Sequence, residues 1–144
     1  MMLHRNHASN VVIVRKPDFA SGTLVRKPLS KAVEESIKDA GHAARVVFEL
    51  GNAAQIFFSD RVLLNEGKTE QALLPLLYES YFGRTPRADR IGLVPMDGCK
   101  NFYNAFAVLK AMEINGRIVA DLDYAFGNAK HILEPVPRGN IFCK

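Results

Sequence analysis

The sequence predicts an α/β domain whose core is a parallel β-α-β-α-β sheet, preceded by a small β-hairpin and helices. Three short apolar runs, at 62–64, 91–94 and 118–120, are separated by longer segments with helical periodicity. Strands that alternate with helices in this way are typical of parallel sheets joined by right-handed crossovers. The runs are apolar throughout rather than alternating, which indicates strands that are covered on both faces.

The first part of the chain predicts the hairpin and the helices. Residues 10–15 are rich in β-branched side chains, and Ser21-Gly22 allows a turn into a second strand at 23–26. Ser30 is predicted to cap a helix over 31–40. A second helical stretch is predicted over 43–59, with a weak point in its middle at Gly51 and Asn52.

The alternating part begins after the turn at Asp60-Arg61, which we take as the boundary between a segment at 1–59 and a domain at 60–144. The predicted strands and helices follow in the order 61–65, 67–82, 90–95, 101–113 and 117–121. Apolar side chains repeat at helical spacing in both helices. These are Leu73, Leu77 and Tyr81 in the first helix, and Phe102, Phe106, Leu109 and Met112 in the second.

Charge is distributed unevenly along the 144 residues, whose net charge is +4. Residues 1–31 carry six basic side chains and one acidic one, a net charge of +5, so the remainder is −1. A basic segment of this kind is compatible with a polyanionic partner such as DNA, and equally with a solvated hairpin. The chain has no G-x-x-x-x-G-K-[ST] and no G-x-G-x-x-G motif, so nothing in it indicates a complete ATP or dinucleotide site.

The cysteines and the hydropathy predict a cytoplasmic protein without a membrane segment. Cys99 and Cys143 have neither CxxC spacing nor a disulfide framework, which favours reduced intracellular thiols. No apolar run approaches the roughly 18 residues that span a bilayer. The N-terminus lacks the apolar core of a secretory signal.

Acidic residues follow two of the predicted strands. Glu66 and Asp121 are expected to end their strands, and Glu70 and Asp123 follow closely. Because ligand sites in open parallel sheets lie beyond the carboxyl ends of the strands, these four carboxylates are expected to gather at one edge. Crowded oxygen ligands without His or Cys favour Mg²⁺ or Mn²⁺. Lys100, in the loop after the second strand, could contact a phosphate there.

A structural interpretation of each residue stays open beside the chemical one. Glu66, Glu70 and Asp123 could each lie at a helix N-terminus because the helix dipole favours a carboxylate there. Lys100 could be an ordinary solvated lysine. The combined pattern of strand, acid, helix and later Asp-x-Asp is what favours a metal site.

Three motifs resemble the Toprim domain of the OLD (overcoming lysogenisation defect) family of ATP-dependent endonucleases. The stretch FFSDRVLLNEGKTE at 57–70 is similar to the start of such a domain. Gly98-Cys99-Lys100-Asn101 is similar to the family's G-x-K-x-N turn, and Asp121-Leu122-Asp123 matches its D-x-D. The chain departs from the pattern at Asn65, where an apolar residue is usual, and at Cys99, where a second glycine is common.

The resemblance implies a Rossmann-like Toprim core in which Glu66, Glu70, Asp121 and Asp123 bind Mg²⁺ or Mn²⁺ for cleavage or nicking of DNA. It also implies an ATPase domain or subunit outside this chain, and the segment at 1–59, above all residues 24–59, resembles the end of such an upstream domain. A role in phage defence or DNA processing is implied as well. With 21 residues after Asp123, the chain is interpreted as a partial Toprim domain. A homo-oligomer is considered as well.

Two other functions remain as alternatives. The first is a non-catalytic metal- or DNA-binding remnant that serves as an interaction module. The second is a phosphatase of the haloacid dehalogenase type, in which Asp-x-Asp also ends a strand. That family places the pair near the N-terminus and prefers Thr or Val where this chain has Ala125.

Overall fold

The computed structural model describes residues 10–16, 19–39, 43, 46 and 54–121. Five strands and three α-helices lie entirely within these ranges, together with two 3₁₀ turns at Ala54–Phe58 and Cys99–Asn101. In chain order the elements are β1 (Val14–Arg15), β2 (Leu24–Val25), α1 (Leu29–Ser36), β3 (Arg61–Asn65), α2 (Lys68–Phe82), β4 (Ile91–Pro95), α3 (Phe102–Ala111) and β5 (Asn115–Val119).

The main sheet has three parallel strands in the order β4-β3-β5, so the first strand in sequence is the central one. Leu64 of β3 is in register with Val94 of β4 and with Ile118 of β5. All three strands therefore end at the same edge. The α/β fold class predicted from the sequence is confirmed.

One face of the sheet packs into the main hydrophobic core. Val62 and Leu64 on β3 are fully buried together with Phe102 and Leu109 on α3. Helix α1 packs against the outer side of α3, and its Leu29 belongs to the same buried cluster. Helices α1 and α3 therefore supply the core packing on this face of the sheet.

The other face of the sheet is covered more thinly. Helix α2 contains no buried residue, and Pro75 within it has no backbone N–H to donate. Leu74 and Tyr78 line a cavity of about 170 Å³ against the sheet. The outward side is apolar: Leu77 is 63% exposed and Tyr81 is 83% exposed.

The N-terminal elements are shorter than predicted. The hairpin is present, but each strand has two residues, with Val14 paired to Val25. Helix α1 begins at Leu29, so the prediction that Ser30 caps it is wrong. Pro28 takes the cap position, with φ −60 and ψ 149, and makes no side-chain cap hydrogen bond. The helix ends at Ser36 because Ile37 is extended.

Other predicted boundaries differ as well. Of the helix predicted over 43–59, Ala43 and Val46 are helical and Ala54–Phe58 form a 3₁₀ turn, and the residues between them lie outside the described part of the chain. Strand β5 begins at Asn115 rather than 117, because Asn115 and Gly116 pair with β3. It ends at Val119, so the expectation that Asp121 ends the strand is wrong by two residues.

In the part of the chain that the structure describes, no helix is both long enough and apolar enough to cross a membrane.

Candidate carboxylate site at the end of the sheet

Glu66 follows the central strand directly and lies between the loops that follow the two outer strands. The N–H of Met96 donates to the carbonyl of Asn65 at 2.9 Å, and the N–H of Gly98 donates to the carbonyl of Glu66 at 2.8 Å. These two bonds continue the β3–β4 pairing past the end of the sheet. The backbone of Glu66 is therefore held by the neighbouring loop.

Asp121 lies beside Glu66 on the other side. Its backbone N is 3.5 Å from Oε2 of Glu66, at the limit of a hydrogen bond. Asp121 itself is exposed, and Glu66 is half-buried. The loops after β3 and β5 thus bring these two acidic residues to one place, although Asp121 is past the strand rather than on it.

Glu70 lies in the first turn of α2, and its carboxylate turns back toward Gly67. Its Oε2 accepts a hydrogen bond from the N–H of Gly67 at 2.9 Å. This is the contact that a carboxylate at a helix N-terminus makes, and it satisfies a donor that the helix leaves free. One oxygen of Glu70 is therefore committed to the backbone.

Lys100 lies in the 3₁₀ turn that follows Gly98, and it is exposed. Gly98 has φ +107, which side-chain-bearing residues rarely adopt, so the turn depends on this glycine. Asp123, the remaining predicted ligand, lies outside the described residues.

The donor chemistry of this site fits a hard divalent cation. Glu66 and Asp121 present carboxylate oxygens, and neither His nor Cys is required. Within residues 10–121, as far as they are described, no group of three or more His, Cys, Asp or Glu side chains is arranged to hold a metal ion. Among the described residues, Glu66 and Asp121 are thus two acidic residues at this edge and do not by themselves form such a group.

Asn65 is a component of the site that the sequence analysis noted but did not place. Its side chain is fully buried at the end of β3. Nδ2 donates to the carbonyl of Gly67 at 2.7 Å. The signal in the sequence was a polar residue at the end of an otherwise apolar strand.

Three of the basic residues near the N-terminus form ion pairs with acidic residues of this chain. Arg15 pairs with Asp60, Arg26 with Glu113 and Lys27 with Glu35. Part of the positive charge of this segment is thus neutralised within the fold.

A second polar cluster lies at the far end of α2, away from the carboxylates. Asp89 Oδ2 accepts hydrogen bonds from the Tyr78 hydroxyl at 2.6 Å and from Arg84 Nε at 2.8 Å. These bonds lower the pKa of Asp89, and the same carboxylate raises the pKa of Tyr78. No sequence motif indicated this cluster.

Comparison with known proteins adds two findings. The family model described as "Overcoming lysogenization defect protein-like, TOPRIM domain" matches residues 57–123. The Old nuclease of Escherichia phage P2 is 35% identical over 123 residues, which cover 85% of this chain and 21% of that protein. The chain thus spans about a fifth of the length of the curated relative it matches.

Proposed function

Because this chain belongs to the OLD-like Toprim family over residues 57–123, we propose that it is the metal-binding module of a DNA endonuclease or nickase. The observation that supports this most directly is the 3.5 Å approach of the Asp121 N–H to Glu66 Oε2 at the carboxyl end of the sheet. This is the edge at which open parallel sheets bind their ligands.

The proposal gives each acidic residue a role. Glu66, Asp121 and Asp123 would hold Mg²⁺ or Mn²⁺, and Glu70 would be a further ligand or would orient the attacking water. Lys100 would contact a phosphate of the DNA. When bound, the cation supplies Lewis-acid stabilisation of the charge that develops on the phosphodiester.

The relative that the chain matches is much longer than the chain, so the proposal extends to a partner. We propose that an ATPase domain or subunit acts together with this module, and that the assembled nuclease serves phage defence or DNA processing. The phage P2 relative is a nuclease by name, which is consistent with a DNA substrate.

A second candidate function is a non-catalytic module that binds metal or DNA. It is favoured by the hydrogen bond from Gly67 that occupies Glu70, and by the lack of a three-residue ligand group within the described residues. Binding of Mn²⁺ or DNA without cleavage would identify it.

The test is a titration followed by a cleavage assay. We expect saturable Mn²⁺ binding by calorimetry, lost in the Asp121→Ala, Asp123→Ala double variant, and nicking of supercoiled plasmid that Asp121→Ala abolishes. Glu79→Gln is the matched control because Glu79 is an exposed carboxylate toward the other end of α2. A folded chain that binds no Mn²⁺ would contradict the proposal.

A further inference from the structure

Asn65 is a buried polar residue at a position where an apolar side chain would fit the strand better. It ends β3 in register with Pro95 and Val119, and none of its surface reaches solvent. Burying an amide is unfavourable unless each of its polar atoms finds a partner. The hydrogen bonds of this side chain therefore show what it contributes.

One half of the amide is satisfied and the other is not. Nδ2 donates to the carbonyl of Gly67 at 2.7 Å. Oδ1 is buried without a hydrogen-bond partner among the described residues. The opposite amide orientation would place two acceptor oxygens 2.7 Å apart, so the Gly67 carbonyl determines which way the amide points. Within the described residues, the amide of Asn65 thus makes one hydrogen bond, to the Gly67 carbonyl, and leaves its buried oxygen without a donor.

That contact fixes the segment that carries the carboxylates. The carbonyl of Gly67 accepts from Asn65 Nδ2 and from the N–H of Gln71 at 3.1 Å, while the N–H of Gly67 donates to Glu70. Gly67 is thus held on both sides of its backbone. Glu66 is its immediate neighbour, so the same bonds constrain the backbone that carries the Glu66 side chain.

We propose that Asn65 is a positioning residue that holds the backbone at Gly67 so that the neighbouring Glu66 can bind a divalent cation, at a cost to the stability of the strand. This inference rests on the proposed function. Residues that orient metal ligands without touching the metal typically change its affinity 10- to 100-fold when they are replaced. A residue retained for stability alone would not affect the affinity.

Two variants separate these roles. Asn65→Leu keeps the branched shape and removes both polar atoms, so we expect an unchanged or higher Tm and a Kd for Mn²⁺ raised at least tenfold. Asn65→Asp keeps the shape but sets a carboxylate oxygen against the Gly67 carbonyl, so we expect both a lower Tm and weaker binding. Ser59→Ala is the control because Ser59 is a buried polar residue before the opposite end of β3.

The measurements are Mn²⁺ titration by calorimetry, thermal unfolding without metal and the NMR chemical shift of the Gly67 amide, all on the 144-residue chain. Wild-type affinity in Asn65→Leu, or a lower Tm with unchanged affinity, overturns the inference and leaves the proposed function standing. Absence of Mn²⁺ binding in the folded wild-type chain overturns both. A shifted Gly67 amide together with weakened binding supports the positioning role.

Discussion

The backbone N–H of Asp121 lies 3.5 Å from Oε2 of Glu66, although 55 residues separate the two in sequence. The approach follows from the strand order, because β5 pairs with β3 rather than with its predecessor β4. The loop that carries Asp121 therefore lies beside the end of the central strand.

Leu64 anchors the central strand in the core, and its truncation should destabilise the chain severely. It is fully buried, so we expect Leu64→Ala to lower the free energy of unfolding by about 2–5 kcal/mol. Leu77→Ala, at an exposed position of α2, should change it by less than about 0.5 kcal/mol. Urea denaturation followed by circular dichroism measures both. Equal effects would contradict the assignment of the core to the α3 side.

Gly92 lies where β4 meets the 3₁₀ turn before β3, and no side chain fits there. A Cβ at this position would be 2.8 Å from Ser59 Oγ. We expect Gly92→Ala to destabilise the chain by about 1–3 kcal/mol through overpacking. Ser59→Ala removes the obstructing oxygen, so the double variant should be more stable than the sum of the single effects predicts. A double-mutant cycle from urea denaturation checks this, and strict additivity would rule out the proposed clash.

Acid should weaken the contact between Asp89 and its two partners. The hydrogen bonds from Tyr78 and Arg84 lower the pKa of Asp89 in the folded chain. The resulting stabilisation is complete above the unfolded value of about 4 and is lost as the pH falls through the lowered pKa. Asp89→Asn should therefore lose less stability than wild type between pH 6 and pH 3.

The measurement is the urea midpoint at each pH, with Tyr78→Phe as the companion variant. Tyr78 makes the largest contribution to the lowered pKa, so this variant should show an intermediate pH dependence. Identical pH profiles for wild type and Asp89→Asn would show that the cluster does not contribute.

A divalent cation that binds the folded chain should raise its stability by mass action. At a free Mn²⁺ concentration 100 times the Kd, we expect a gain of about 2.7 kcal/mol in the free energy of unfolding. Asp121→Ala should abolish the gain, whereas Glu79→Gln should retain it. Thermal unfolding with Mn²⁺ and with excess chelator measures the difference. A gain that persists in Asp121→Ala would place the cation elsewhere.

The bounds of β3 could be predicted better than those of β5, because the residues that flank the two strands differ. The bounds of β3 were correct because an apolar run lies between Asp60 and Glu66, both poor strand residues. In β5, Asn115-Gly116 resembles a turn, yet both residues are in the strand. A Cβ on Gly116 would lie 3.1 Å from Leu109 Cδ1, so this glycine allows α3 to approach the sheet closely. This requirement comes from tertiary packing, so the residues next to Gly116 in the sequence do not indicate it.

The proximity of Glu66 and Asp121 followed from a general rule about strand ends, without knowledge of the strand order. The hydrogen bond of Glu70 to Gly67 could not be separated from a ligand role, because both uses place a carboxylate in the first turn of a helix. Asn65 could be recognised in the sequence as a polar residue where the family pattern usually has an apolar one. Its link to Gly67 depends on a side-chain direction that the spacing of residues does not specify.

The thin packing of α2 has a consequence for how the chain opens and closes in solution. A helix with no buried residue and an internal proline packs weakly on the sheet, so its amides should exchange with deuterium before those of α3 although the Tyr78 hydroxyl donates to Asp89. The hydrogen bonds around Gly67 then mark the junction between this early-opening helix and strand β3, whose amides we expect to exchange slowly. Glu66 lies on the β3 side of this junction and Glu70 lies on the α2 side, so we expect Glu66 to keep its native position longer than Glu70 when α2 opens.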